Sequence, residues 1–277
     1  FRVEMAMGVV HRVFSMVLVG TVAMLAAAGR SLPAAEPQYG QYDAGGTNLH
    51  AAVGQIFALG NQARAQAGVK SLAWDPTLAA AAFEHCRMMA AAGGISHQYR
   101  GEPDLSSRAA QAGAHFSLIE ENVAMAPSAA AVHQAWMQSP GHRENLLSSD
   151  VDHVGVAVVY ARGEFYAVAD YSAVVENLNP AQVEARVAAL VRAHGVSILA
   201  NPALARSACA NDDDLLRSPS ARPAWMIRWQ DSDLSHLPQA LLSQLRTGKY
   251  RQAAVGSCPA QDDGGAFTSF RVAVLLY

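Results

Sequence analysis

The chain has 277 residues, of which 51% are hydrophobic and 16% charged, and its formal net charge is −3. That composition can bury a core and excludes wholesale disorder. The acidic balance excludes a large basic nucleic-acid surface, and three cysteines cannot make a disulfide-dense scaffold.

The first 35 residues read as an address rather than as part of the fold. Arg2 and Arg12 open it, residues 13–28 carry no charge, and small residues follow at Ala26-Ala27-Ala28 and Pro33-Ala34-Ala35. A basic start, an apolar stretch and a small-residue cleavage site make the pattern of a secretory signal peptide. The alternative is an uncleaved membrane anchor, but an apolar run of roughly 16–18 residues is short for a spanning helix. No other stretch of the sequence is long and apolar enough to span a bilayer. Cleavage near Ala35 predicts a secreted or periplasmic protein. It also makes the chain more acidic, because it removes Arg2, Arg12 and Arg30 but only Glu4. Residues 36–48, rich in Gly, Gln, Tyr and Pro, read as a linker.

A first domain is predicted over 49–176. Val53, Ile56, Phe57, Leu59 and Ala63 recur at helical spacing over 49–67, and Gly68 ends the helix. Asp75 before Pro76 is an N-cap with proline at the first helical position; it starts a second helix over 77–92 that ends at Gly93-Gly94. A short helix over 105–112 follows, then another over 129–137 halted by Pro140-Gly141. Residues 154–160 and 164–171 are β-rich runs split by Arg162-Gly163, a hairpin signal. Helices followed by a hairpin predict an α+β fold with an antiparallel sheet rather than βαβ units. Trp74, Trp136, Met88, Met89 and Met137 read as packing side chains.

Several local sequences in this stretch resemble one family when taken in order. They are Asn61-Gln62-Ala63-Arg64, the run from Leu72 to Leu78, Ile95-Ser96-His97, Glu121-Asn122-Val123-Ala124, the run from Trp136 to Arg143, and Val154-Gly155-Val156-Ala157. Their order and spacing are similar to those of a bacterial CAP domain, also called the SCP domain, the superfamily of cysteine-rich secretory proteins, antigen five and plant pathogenesis-related proteins. The resemblance implies an α-β-α sandwich with a small, mostly antiparallel sheet. It also implies a cleft whose first histidine is His97, first acid Glu121 and second histidine His142, with Asn122 and Ser139 beside them. A second acid expected after Trp136 is missing, because that stretch reads Met137-Gln138-Ser139-Pro140.

Two imidazoles and a carboxylate can form an open three-ligand site for zinc or a similar divalent cation. His97, His142 and Glu121 are the candidate ligands, and a bound water would complete the site. A metal-free polar cleft is the plainer alternative, since no tight spacing such as His-Glu-x-x-His is present. Ser139, His142 and Glu121 superficially supply a nucleophile, a base and an acid. Triads are defined by geometry, however, and no Gly-x-Ser-x-Gly elbow surrounds Ser139. A binding module is therefore favoured over a secreted metal-assisted hydrolase, with a structural envelope protein as a third reading. The ligand classes left open are a metal, an envelope component, a lipid, a small molecule or a protein. His85, His115, His133 and His153 read as structural.

Leu178-Asn179-Pro180 marks a boundary, and residues 178–277 read as a smaller α+β module. It has a helix over 183–193, another over 237–245, and a closing hairpin from 253–258 and 267–277. The run from Arg192 to Ala205 repeats, with gaps, the run from Arg64 to Ala79: Arg, Gly-Val, Leu-Ala, Asn/Asp-Pro, Leu-Ala. A degenerate CAP-like repeat without the cleft motifs is one reading; chance similarity between Ala-rich helices is the other. Asp212-Asp213-Asp214 fits no EF-hand loop and reads as solvated. In an oxidising compartment Cys209 and Cys258 could pair, leaving Cys86 buried in the second helix.

Overall fold

Side-chain caps set the helices of the first half. In the computed structural model, which describes residues 2–4, 48–210, 222–261 and 265–277, α1 (Leu49–Gln66) begins at Asn48, whose carboxamide accepts the Ala51 N–H. The expected signal and linker lie almost wholly outside the described residues, as does the Asp212-Asp213-Asp214 loop. Asp75 accepts from the Thr77 and Leu78 N–H groups to start α2 (Pro76–Ala92), and Gly93, at φ 78°, ends it in the left-handed region. Asp104 and Ser128 cap α3 (Leu105–Gln111) and α4 (Ala129–Gln138) in the same way. Pro140, read above as a stop, both ends α4 and opens α5 (Pro140–Leu147). Proline at the first helical position loses no intrahelical hydrogen bond, so the chain re-enters a helix at once.

Among the described residues, five strands form one sheet: β1 (Arg2–Glu4), β2 (Ala73–Trp74), β3 (Phe116–Ala126), β4 (His153–Ala161) and β5 (Glu164–Val174), in the order β1-β3-β5-β4-β2. The first of them, β1, falls in the segment read above as a signal yet pairs with β3. Only β2 pairs in parallel, with β4; the remaining pairs are antiparallel. Both faces are covered. Val154, Val156, Val158, Ala167, Ala169 and Tyr171 pack against α1, α4 and α5 around Trp136. Val123, Ala157, Tyr166 and Val168 pack against Ala82, Cys86 and Met89 of α2. This is the expected α-β-α sandwich. It explains why β4 and β5 read as near-continuous apolar runs instead of alternating ones. Met88, expected in the core, points outward and is exposed, while its neighbour Met89 is buried.

The second half contains α6 (Pro180–Arg192), β6 (Ser197–Ile198), α7 (Ala203–Ala210), β7 (Trp225–Asp231), α8 (Gln239–Leu245), β8 (Gln252–Cys258) and β9 (Phe270–Leu276). Its sheet has the order β6-β8-β9-β7, with β6 parallel to β8 and the other pairs antiparallel. That is the order and sense of β2-β4-β5-β3. Cys209 on α7 and Cys258 on β8 form a disulfide, with a Cα–Cα distance of 5.7 Å; Cys86 is a buried thiol. The two halves touch where the Thr268 N–H donates to the Phe116 carbonyl at 2.8 Å and the Phe116 and Phe267 rings meet edge to face. Among the described residues, no helix is long and apolar enough to cross a membrane.

Candidate functional site

Two elements bring the expected histidines together. His97 lies in the loop between α2 and α3, and His142 lies in the first turn of α5; their ring centroids are 6.4 Å apart. Glu121 lies on β3, and its Oε1 accepts from His97 Nδ1 at 2.7 Å. The His97 side chain is 37% exposed, whereas that of Glu121 is fully buried. Glu121 therefore stands behind His97, where it fixes the ring's orientation and its tautomer. Nε2 is then the ring atom that could meet a ligand.

This corrects one expectation for Glu121. Its second oxygen, Oε2, accepts from the Arg108 guanidinium and lies 3.7 Å from His85 Nε2. Both oxygens are thus engaged by protein donors, and the carboxylate does not face outward as a third ligand. Asn122, expected beside it in the cleft, is likewise fully buried. Its amide donates to the His142 carbonyl at 2.8 Å, and its Oδ1 accepts from Asn145 at 3.0 Å. It anchors the backbone of α5 from below. Ser139 joins α4 to α5 and is partly buried. Among the described residues no hydrogen bond links its hydroxyl to His142, and its observed role is the helix junction. Nor does any group of three or more His, Cys, Asp or Glu side chains among them converge as a metal site.

His85, read above as structural, and three residues that the sequence did not single out complete the interior of the site. His85, fully buried on α2, places Nδ1 2.6 Å from Glu102 Oε1 and Nε2 2.8 Å from the Ser96 carbonyl. Both ring nitrogens are thus held by the protein. Glu102 also accepts from the Tyr99 N–H at 2.9 Å. Arg108, on α3, donates to Glu121 and, at 3.2 Å, to the His97 carbonyl. It therefore holds both the backbone of His97 and the carboxylate that aims its ring. Asp170, on β5, is paired in register with Glu121 and is fully buried. Its carboxyl is pushed well above the usual carboxylate range by burial and then by the Glu121 charge. One sequence signal could have found it: a single charge inside an apolar strand whose neighbours are buried on both sides. His142 is shifted the other way, below its ordinary value, by partial burial and by the facing His97. Both influences favour the neutral, ligating form of the ring.

Residues 57–171 match a family model described as CAP, the cysteine-rich secretory protein family. An uncharacterized membrane protein of Bacillus subtilis (strain 168), YlbC, is 36% identical over 106 residues, 38% of this chain and 30% of that protein. The chain thus spans less than a third of the length of that curated relative. Among solved structures, an extracellular protein containing an SCP domain from Bacillus anthracis str. Ames has 30% identity and a TM-score of 0.41, covering 44% of this chain and 40% of that one. An outer surface protein of Borrelia burgdorferi has 20% identity and a TM-score of 0.44, covering 46% of this chain and 96% of its own.

Proposed function

Since the chain belongs, through residues 57–171, to the bacterial CAP superfamily of cysteine-rich secretory proteins, we propose that it is an exported protein acting by binding at the His97/His142 site. A divalent cation such as zinc is the smallest ligand that suits this donor set. The observation that carries this is the His97–Glu121 contact at 2.7 Å beside a second imidazole. A ligating histidine characteristically gives its other ring N–H to a carboxylate, which fixes the tautomer and makes the ligating nitrogen more basic. The two imidazoles would hold such a cation as two protein donors, the remaining positions falling to water or to a second ligand. When bound, such a cation would supply a Lewis acid that can hold an anionic or carbonyl oxygen.

Export is supported by the basic-then-apolar N-terminus and by the Cys209–Cys258 bridge, which suits an oxidising compartment. We further infer that residues 178–277 are a CAP-like repeat, because element order, strand order and strand sense recur. The test is zinc titration calorimetry on the purified chain. His97→Ala and His142→Ala are each expected to weaken uptake about 10-fold or more. Absence of uptake in the wild type, or uptake unchanged in both variants, overturns the proposal.

A further inference from the structure

The carboxyl pair behind His97 poses a charge problem that the two-histidine site does not explain. Glu121 and Asp170 are paired in register across β3 and β5, and both are fully buried. Among the described residues, no N–H or O–H donor reaches either oxygen of Asp170. Two such acids side by side in a low-dielectric interior cannot both be ionised. Glu121 is the one that donors reach: His97 on Oε1 and Arg108 on Oε2. Asp170 must then supply its own donor.

The second half of the chain shows the same position without this chemistry. The Ser197 N–H meets the Arg251 carbonyl at the start of β8 as the Ala73 N–H meets the Asp152 carbonyl before β4. Counting from that shared register, Gly155 corresponds to Ala254. Asp170 then corresponds to Leu275, and Glu121 to Met226. Leu275 packs with Met226, Ala205, Ala208 and Ala254. The scaffold thus closes well with an apolar pair at this point. A buried carboxyl pair is commonly less stable than a packed apolar one, so it is not kept for the fold.

We propose that Asp170 is a positioning residue of the His97/His142 site: as a neutral acid it donates to Glu121 and so holds the carboxylate that aims His97. The affinity readout of its test rests on the cation proposal above; the orientation of His97 does not. Asp170→Asn keeps a donor toward Glu121, because the amide N–H replaces the acid O–H. Asp170→Ala removes the donor without adding bulk, and Asp170→Leu, copying the second half, replaces it if the alanine variant does not fold.

Two readouts apply: the His97 side-chain nitrogen resonances, which report whether Nδ1 carries the proton, and zinc affinity by calorimetry. Asp170→Asn is expected to retain the Nδ1–H form and to bind zinc within about 3-fold of wild type. The donor-free variant, folded by circular dichroism, is expected to lose the fixed tautomer and to bind about 10- to 100-fold more weakly. A folded donor-free variant with an unchanged tautomer overturns the proposal, as does an asparagine variant that loses as much as the alanine one. If the wild type takes up no zinc, the cation proposal fails alone, and the nitrogen resonances still decide the role of Asp170.

Discussion

Gly155 is where helix packing and the site meet most tightly, and Gly155→Ala is the sharpest test of that coupling. The residue sits on β4 opposite Asp170, where the first turn of α2 crosses the sheet. A Cβ added there would lie 2.0 Å from the Ala79 nitrogen and 2.3 Å from the Leu78 carbonyl carbon. Such atoms settle at about 3.5 Å. The obstruction is backbone, so no side-chain rotation relieves it, and the turn must retreat by roughly 1 Å or more. Leu78, Ala79, Ala82, Cys86 and Met89 of α2 are almost wholly buried and would move with it. Overpacking of this kind costs about 1–3 kcal/mol, and a rigid backbone obstacle belongs at the upper end. At about 2–4 °C per kcal/mol for a chain of this size class, the melting temperature should fall by roughly 6–12 °C. The displaced helix also carries His85, so zinc affinity should fall with stability. Gly256 is the control in the second half: an added Cβ there would lie 2.2 Å from the Arg206 nitrogen at the α7 crossing, away from His97 and His142. Gly256→Ala should lower the melting temperature comparably and leave zinc affinity unchanged. A Gly155→Ala protein within about 0.5 kcal/mol of wild type by urea unfolding would refute this account.

Arg64 and two histidines supply the other predictions. The Arg64 guanidinium is buried at 1% exposure and donates to the carbonyls of Lys70, Leu146, Ser148 and Val151, which ties α1 to the chain after α5. Arg64→Met keeps the bulk but strands those carbonyls and should cost about 3–5 kcal/mol in chemical denaturation; a loss below about 1 kcal/mol would show that water or the loop replaces the donors. His133 and His142 are both held below the ordinary value of 6.5, burial being the first cause in each. The unfolded chain therefore binds their protons more readily, so their contribution is present above pH 6.5 and is lost as the pH falls through that value. Thermal melts from about pH 7.5 to about pH 5.5 should show a decline that is shallower in a His133→Gln/His142→Gln protein; an equally steep decline there would assign the effect to other groups.

Elements whose start or stop is written in local chemistry were legible in the sequence. Asp75-Pro76 and the Arg162-Gly163 turn needed only the residues beside them, and the structure places α2 and the β4–β5 hairpin there. β3 was not legible as a strand. Glu120, Glu121 and Asn122 fall consecutively inside it and are all buried, which breaks both the alternating and the all-apolar patterns by which strands are recognised. β7 escaped for a related reason: every residue of Trp225–Asp231 is half-buried, so neither face declares itself. Of the site, the family motifs carried His97, Glu121 and His142, but a motif gives residue identity rather than depth. That Glu121 lies behind His97 depends on α3 bringing Arg108 against β3. Likewise, His85 enters through its contacts from α2 to Glu102 and the Ser96 carbonyl in the following loop. The local sequence around His85 differs in nothing from that of an ordinary helical histidine.

Comparing the two halves separates what this scaffold requires from what the site requires. Each half has a glycine on the strand that its helix crosses, Gly155 against α2 and Gly256 against α7, the latter two residues beyond Ala254, the counterpart of Gly155, so close helix–sheet approach belongs to the scaffold. The second half also buries a carboxylate, Glu184 on α6, but pairs it with Nε and Nη2 of Arg206 and the Ser257 N–H. That carboxylate joins α6, α7 and β8, the last two of which the Cys209–Cys258 bridge also links. Its charge is balanced locally and faces no histidine. In the first half the buried charges instead line up toward His97, ending at a partly exposed ring. The second half meets the first on Phe116, at the start of the strand that carries Glu121. Its contact thus braces β3 at one end while α5 is anchored to the same strand through Asn122 and Asn145. A carboxylate that must hold an imidazole to a fixed bearing needs such a strand, because small displacements of its backbone reach the ring undiminished.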